Sequence, residues 1–124
     1  MSRKKEKNRD PLLYLDDILK ACRKIREYVD SYDGNDFTLD PLTLDAVVRN
    51  LEIIGEAAGK VPVPIRKKEP DVDWRKLRSI RNILAHEYFG VDERIVKDLV
   101  DNKVYDIEEK VEALIEKLNP PDQE

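Results

Sequence analysis

The sequence contains only one cysteine, one histidine and four glycines among its 124 residues. A single cysteine, Cys22, excludes an internal disulfide. Its place in a run of apolar residues at helical spacing predicts a buried core thiol. A single histidine, without closely spaced acidic or sulfur ligands, cannot build the usual zinc sites, so we expect no metal and no cofactor.

The chain also lacks a long hydrophobic run. No apolar stretch approaches the roughly 18 residues that a membrane helix needs, and the basic start is not followed by the apolar segment of a signal peptide. We therefore expect a soluble cytoplasmic protein of one domain, since 124 residues suffice for a single core.

No segment alternates apolar and polar residues as a strand does, whereas apolar residues recur at three- and four-residue steps. The predicted class is all-α, a bundle of four main helices with a short helical turn before the third. The predicted helices are 11–32, 41–60, 74–88 and 92–118, the last interrupted near Asp101-Asn102, and the short turn is 65–69. Gly55 and Gly59 are expected to let the second helix approach another closely. The domain is predicted over 10–119, between a basic flexible tail, 1–9, and a flexible C-terminus, 120–124.

The net charge of −4 hides a segregation of charge. Residues 1–9 carry five basic and one acidic side chain, and residues 60–81 carry eight basic and three acidic ones. The remainder of the chain is therefore strongly acidic. The basic region 60–81 would attract a polyanion to the third helix. The alternative, that these lysines and arginines only solvate a loop and a helix face, stays open.

The single histidine lies in the most informative segment of the chain. His86 follows Arg81 by five residues and precedes Tyr88 by two. A cation, a group that exchanges protons near neutral pH and a phenol can together perform phosphate chemistry without a metal. A solitary helical histidine is more often a surface or core residue, but its combination with Arg81, Asn82 and Tyr88 favours a functional site.

A regular third helix would place Arg81 on its apolar stripe, which comprises Trp74, Leu77, Leu84 and Tyr88. An unpaired guanidinium there would be costly. Arg81 would then either form a buried ion pair with Glu52 or Glu56, or meet an anion, a partner chain or a cleft.

The same helix would point His86 about 140° away from Arg81 and stack it on Asn82, with Arg75 and Arg78 nearby. Either the helix distorts near His86, or a second subunit completes the site. A symmetric dimer would bring two arginines and two histidines into one basic cleft.

Three segments carry a resemblance to a known family: Ile54-Gly55-Glu56-Ala57, Val72-Asp73-Trp74 and Arg81-Asn82-x-x-x-His86-x-Tyr88. In this order and spacing they resemble the HepT-like ribonuclease toxins of the HEPN superfamily, over about Leu12 to Leu118. The third segment is the specific one. The chain departs from relatives that carry a tryptophan in the fourth helix, where Val96-Lys97 stands, which puts only local packing in doubt.

The resemblance implies an all-helical homodimer that cleaves RNA without a metal and is neutralised by a nucleotidyltransferase antitoxin of the MNT type. On this chain it implies that Arg81 and His86 are catalytic and that Asn82 binds or orients the substrate. Arg75 and Arg78 of the same helix are further candidates for RNA contact. Tyr88 would be the residue to which the antitoxin attaches AMP. No membrane and no DNA partner are expected.

Two other functions stay open on the residues alone. The chain could be a non-catalytic helical adaptor whose motif docks the nucleotidyltransferase, or a module that holds a mononucleotide in its basic cleft. A sequence-specific DNA reader fits poorly with the acidic balance outside the two basic regions.

Overall fold

A computed structural model describes residues 9–32, 36–86 and 90–119 of the chain. The elements in chain order are α1 (Pro11–Asp30), a 3₁₀ turn (Phe37–Leu39), α2 (Pro41–Lys60), α3 (Val63–Arg66), α4 (Trp74–Arg78), α5 (Ile80–Leu84), β1 (Ala85–His86), β2 (Gly90–Val91), α6 (Glu93–Leu99), a π-helical segment (Val100–Val104) and α7 (Tyr105–Leu118). The predicted all-α class is confirmed, and the two-residue β1 and β2 form only a short antiparallel pair.

Aspartates begin four of the helices, α1, α2, α4 and α6. Each carboxylate accepts a hydrogen bond from a backbone N–H two or three residues further on, which satisfies one of the free donors of the first turn. The distances from the backbone nitrogen to the carboxylate oxygen are 2.9 Å for Leu12 and Asp10, 3.1 Å for Leu42 and Asp40, 3.0 Å for Lys76 and Asp73, and 2.9 Å for Arg94 and Asp92. The first two are followed by proline, which is favoured at the first helical position.

One hydrophobic core lies between α1, α2 and α7, and α4 to α6 close it on the side of α2. Its largest fully buried side chains include Leu15, Ile18, Ile25, Leu51, Ile54, Ile80, Leu84 and Leu114. No helix in the described part of the chain is long and apolar enough to cross a membrane.

Cys22 is fully buried in this core, as predicted. Burial raises the pKa of its thiol to about 12, with a further contribution from the negative charge of Glu108. Glu108 is itself buried and is held by two arginines of α1, Arg23 and Arg26, at 3.3 and 3.1 Å.

Several predicted boundaries are close to those observed. The range of α2 is the predicted one, α1 ends at Asp30 rather than residue 32, and the short turn spans 63–66 rather than 65–69. The predicted interruption near Asp101-Asn102 is confirmed, and it takes the form of the π-helical segment.

The predicted third helix over 74–88 is wrong. It divides at Ser79, whose N–H donates to the carbonyls of both Arg75 (3.2 Å) and Lys76 (3.1 Å) while its hydroxyl also donates to Arg75 (2.9 Å). Such back-bonding by serine disturbs regular helical geometry. The helix then ends at Leu84, and Gly90 lies in a strand rather than at the helix end.

The predicted tails on either side of the domain lie mostly outside the described residues. Arg9, assigned to the tail, donates to Asp17 at 3.0 Å and lies over the ring of Tyr14. The other residues of the predicted tail, 1–8, and the predicted C-terminus, 120–124, lie outside the described ranges, so both assignments stay predictions.

Gly55 allows α2 to approach the two short helices closely. A Cβ at this buried position would lie 3.0 Å from the carbonyl oxygen of Leu77 and 3.2 Å from Cβ of Ile80. The expected close approach is therefore confirmed at Gly55. It is wrong at Gly59, which is exposed and where an added Cβ would meet nothing within 4 Å.

We expect Gly55→Ala to lower the free energy of unfolding by about 1–3 kcal/mol, because the backbone of Leu77 cannot move aside without shifting α4. Gly59→Ala on the same helix is the matched control. It is expected to leave stability unchanged or to raise it by less than about 1 kcal/mol, because alanine favours helix where there is space. Urea unfolding followed by circular dichroism measures both, and equal effects would contradict the packing described here.

Candidate functional site

The helices α4 and α5 present their polar side chains to solvent. Arg75, Arg78, Arg81 and Asn82 are all exposed. Their apolar neighbours Trp74, Leu77, Ile80 and Leu84 are buried against the core. The structure therefore places four of the predicted site residues on the outer surface of one short helical unit.

Arg81 does not project into the packed face, and that prediction is wrong. Ile80 is also fully buried on these helices, and its burial moves the centre of the apolar face away from Arg81. A long arginine at the edge of such a face can extend its guanidinium into water. The proposed buried ion pair is also absent: within the described ranges Arg81 has no ion pair, and Glu52 contacts Arg49 instead at 4.0 Å.

The remaining arginines show how unusual this surface is. Among the described residues, most arginines contact a carboxylate, as in the pairs Arg9–Asp17, Arg23–Glu112, Arg26–Glu108, Arg49–Glu52 and Arg94–Asp92, and Arg66 donates to the carbonyl of Val61. Arg75, Arg78 and Arg81 have no such partner in the described part of the chain. Their three-residue spacing groups them on neighbouring turns.

His86 lies beyond the end of the helix that carries Arg81. Its backbone belongs to β1 and pairs with Gly90 of β2 in antiparallel register, while Ala85 pairs with Val91. The helix therefore distorts before His86, which was one of the two alternatives, and the 140° separation on a regular helix no longer applies. Tyr88 lies outside the described residues.

A groove of about 520 Å³ adjoins this surface. It is bordered by Ile83 of α5, by Asp92 just after β2, and by one side of α6. A hydrogen bond from the backbone N–H of Arg94 lowers the pKa of Asp92 from its ordinary value, so the ionised carboxylate is favoured further. No spacing in the sequence predicts this groove, because α5 and α6 meet only in the folded chain.

Comparisons with known proteins identify the family. The sequence profile described as "Ribonuclease HepT-like" matches residues 18–114. The chain belongs to the HepT-like ribonuclease family. The resemblance drawn from the three sequence segments is thereby confirmed.

Relatives of this HepT-like chain come from bacterial and archaeal species. A protein of Caldanaerobacter subterraneus named as a candidate RNase is 37% identical over 107 residues, covering 86% of this chain and 96% of the relative. A candidate RNase of Methanocaldococcus jannaschii is 38% identical over 106 residues, covering 86% and 97%. A protein of Thermococcus cleftensis named a probable ribonuclease HepT is 38% identical over 101 residues, covering 82% and 92%. No solved structure matches the chain.

Membership of this family supports a ribonuclease function, and with it an RNA substrate. In the described ranges of this HepT-like chain, no three His, Cys, Asp or Glu side chains cluster as metal ligands would. The exposed arginines fit an RNA substrate, because guanidinium groups bind phosphate well.

Proposed function

We propose that this protein is a metal-independent endoribonuclease and the toxin of a toxin–antitoxin pair. The observation that carries the proposal is the arginine surface of Arg75, Arg78 and Arg81. These residues are exposed, have no partner among the described residues, and lead directly into the segment that holds His86. An unneutralised cationic surface attracts the phosphates of RNA.

RNA supplies its own nucleophile, the 2′-hydroxyl. His86 would accept the proton of this hydroxyl, or donate one to the departing 5′-oxygen, and the His86 of a second subunit would fill the other role. Arg81 would stabilise the additional negative charge on the pentacoordinate phosphorus. The products would be a 2′,3′-cyclic phosphate and a 5′-hydroxyl.

The remaining polar residues of the surface would hold the RNA. Arg75 and Arg78 would contact phosphates on either side of the cleavage position, and Asn82 would orient the reacting nucleotide. RNA binding should therefore weaken as salt increases. Each phosphate contact to single-stranded RNA contributes about −0.7 to the slope of the logarithm of the binding constant against the logarithm of the salt concentration. We propose that two subunits form a homodimer in which their arginine surfaces together make one cleft. The protein would act in the cytoplasm.

We expect cleavage of a structured RNA in EDTA by the wild type, and a loss of about 100-fold or more in His86→Ala and in Arg81→Ala, because each removes a group that acts on the reacting phosphate. Product ends are read by mass spectrometry. The urea midpoint of unfolding of Arg81→Ala should equal that of the wild type, since Arg81 is exposed and unpaired in the described structure. Lost cleavage would then not reflect lost folding.

Arg49→Ala is the matched control, because Arg49 is an exposed arginine on α2 whose partner Glu52 is 4.0 Å away. It should cleave as the wild type does. Cleavage that requires a divalent metal, or that survives in His86→Ala, would contradict the proposal. If the wild type is inactive and its intact mass shows no AMP, the adaptor function is favoured, since an adaptor needs only to bind the nucleotidyltransferase.

The same site would be regulated by AMP on Tyr88. Attaching AMP there would add a phosphate and a base two residues after His86 in the sequence, and this negative charge would compete with RNA for the cationic groups of the site. The antitoxin would catalyse this transfer from ATP: the phenol oxygen of Tyr88 would lose its proton and bond to the α-phosphorus, and pyrophosphate would leave.

Tyr88→Phe is therefore expected to keep its toxicity when the antitoxin is co-expressed, whereas the wild type is neutralised. Cell growth and the intact mass of the purified protein are measured together. Tyr105→Phe is the control, because Tyr105 is an exposed tyrosine on α7 that donates to Asp30. Neutralisation of Tyr88→Phe to the wild-type degree would show that the tyrosine is not the regulated residue.

A further inference from the structure

The groove beside the arginine surface combines apolar walls with a few charged side chains. Its apolar walls are Ile83, Ile95 and Leu99, and its charged side chains are Lys76, Asp92, Arg94 and Asp98. A volume of about 520 Å³ lies within the range of small-molecule sites, about 300–1,000 Å³, and can hold a nucleobase with its sugar. Ile83 directly follows Asn82, so the groove borders the candidate site.

The cations of the groove differ in their partners. The ammonium group of Lys76 has no hydrogen bond or ion pair with any residue in the described ranges, although the side chain is half-buried. Arg94, in contrast, lies 3.5 Å from Asp92 and its side chain is 93% exposed, which places it at the rim. Lys76 is therefore the cation that is free to meet a phosphate inside the groove.

Asp98 is a carboxylate held in place by its neighbour. Asn102 of the π-helical segment donates to Oδ1 of Asp98 at 2.6 Å, while Oδ2 has no partner among the described residues. An ionised carboxylate only accepts hydrogen bonds. Guanine is the RNA base whose Watson–Crick edge offers two adjacent N–H donors, and such an edge matches a carboxylate in a bidentate way.

We propose that this groove is a base-binding subsite that selects guanine in the RNA strand next to the cleavage position. The base would lie against Ile83 and Ile95, its Watson–Crick edge would donate to Asp98, and Lys76 would bind the adjoining phosphate. The inference rests on the proposed ribonuclease function for its biological meaning. The binding itself requires neither His86 nor cleavage.

The first test is a titration with each of the four nucleoside 3′-monophosphates. Binding is measured by calorimetry and by the shifts of the backbone amide signals in NMR spectra. We expect the guanosine nucleotide to bind at least about tenfold more tightly than the others, which lies within the range that a good bidentate contact contributes. Asp98→Asn should reduce this preference to within about threefold, and Lys76→Ala should weaken all four nucleotides alike.

Asp101→Asn is the matched control, because Asp101 is an exposed carboxylate three residues away that pairs with Lys97 at 3.1 Å and does not line the groove. It should keep the guanine preference. Equal binding of all four nucleotides by the wild type would overturn the proposal, and so would equal effects of Asp98→Asn and Asp101→Asn.

Two further outcomes separate this inference from the proposed function. Guanine-selective binding by a protein that cleaves no RNA would leave the subsite standing and reject the ribonuclease. If the protein cleaves RNA but shows no preference for guanine, or if its preference is unchanged in Asp98→Asn, the subsite alone is rejected. If no nucleotide binds, and light scattering shows a dimer that Asp98→Arg dissociates, the groove is a contact between two copies and the proposal is wrong.

Discussion

The close contact of Gly55 with the backbone of Leu77 and with Ile80 determines how the polar surface of this protein is presented. Because no side chain separates α2 from α4 and α5 at this point, Ile80 is fully buried. Burial of the apolar side of these two helices turns Arg75, Arg78 and Arg81 outward. A larger residue at position 55 would have to shift the whole unit, and the arginines with it.

The arginines of this outward-facing surface differ from most other arginines of the described structure in having no acidic partner. Elsewhere in the described structure most arginines contact a carboxylate, and at Glu108 two arginines meet one buried acid. The arginines of α4 and α5 face solvent where no described acidic side chain reaches them. A protein with a net charge of −4 thus keeps a concentrated cationic surface next to its single histidine. Cationic surfaces of this kind both attract RNA and position its phosphates.

Local signals in the sequence predicted much of the fold. The three- and four-residue periodicity predicted α2 with its observed bounds, and the polar Asp101-Asn102 pair marked the interruption that is a π-helical segment. The third helix was mispredicted because its division depends on a side-chain hydrogen bond of Ser79 and its end on pairing between Ala85 and Val91. Periodicity does not register either interaction.

The candidate site was predicted unevenly for related reasons. The motif predicted a site at Arg81 and Asn82, which the structure places on the exposed surface, but an apolar stripe without the buried Ile80 puts Arg81 on the wrong side of the helix. Asp98 and Lys76 belong to helices that are distant in sequence, so no spacing rule joins them into one groove. The most direct measurement is cleavage of an RNA carrying one 2′-deoxynucleotide at a mapped cleavage position. The account predicts that cleavage stops at that position and continues elsewhere, whereas unchanged cleavage there would contradict attack by the 2′-hydroxyl.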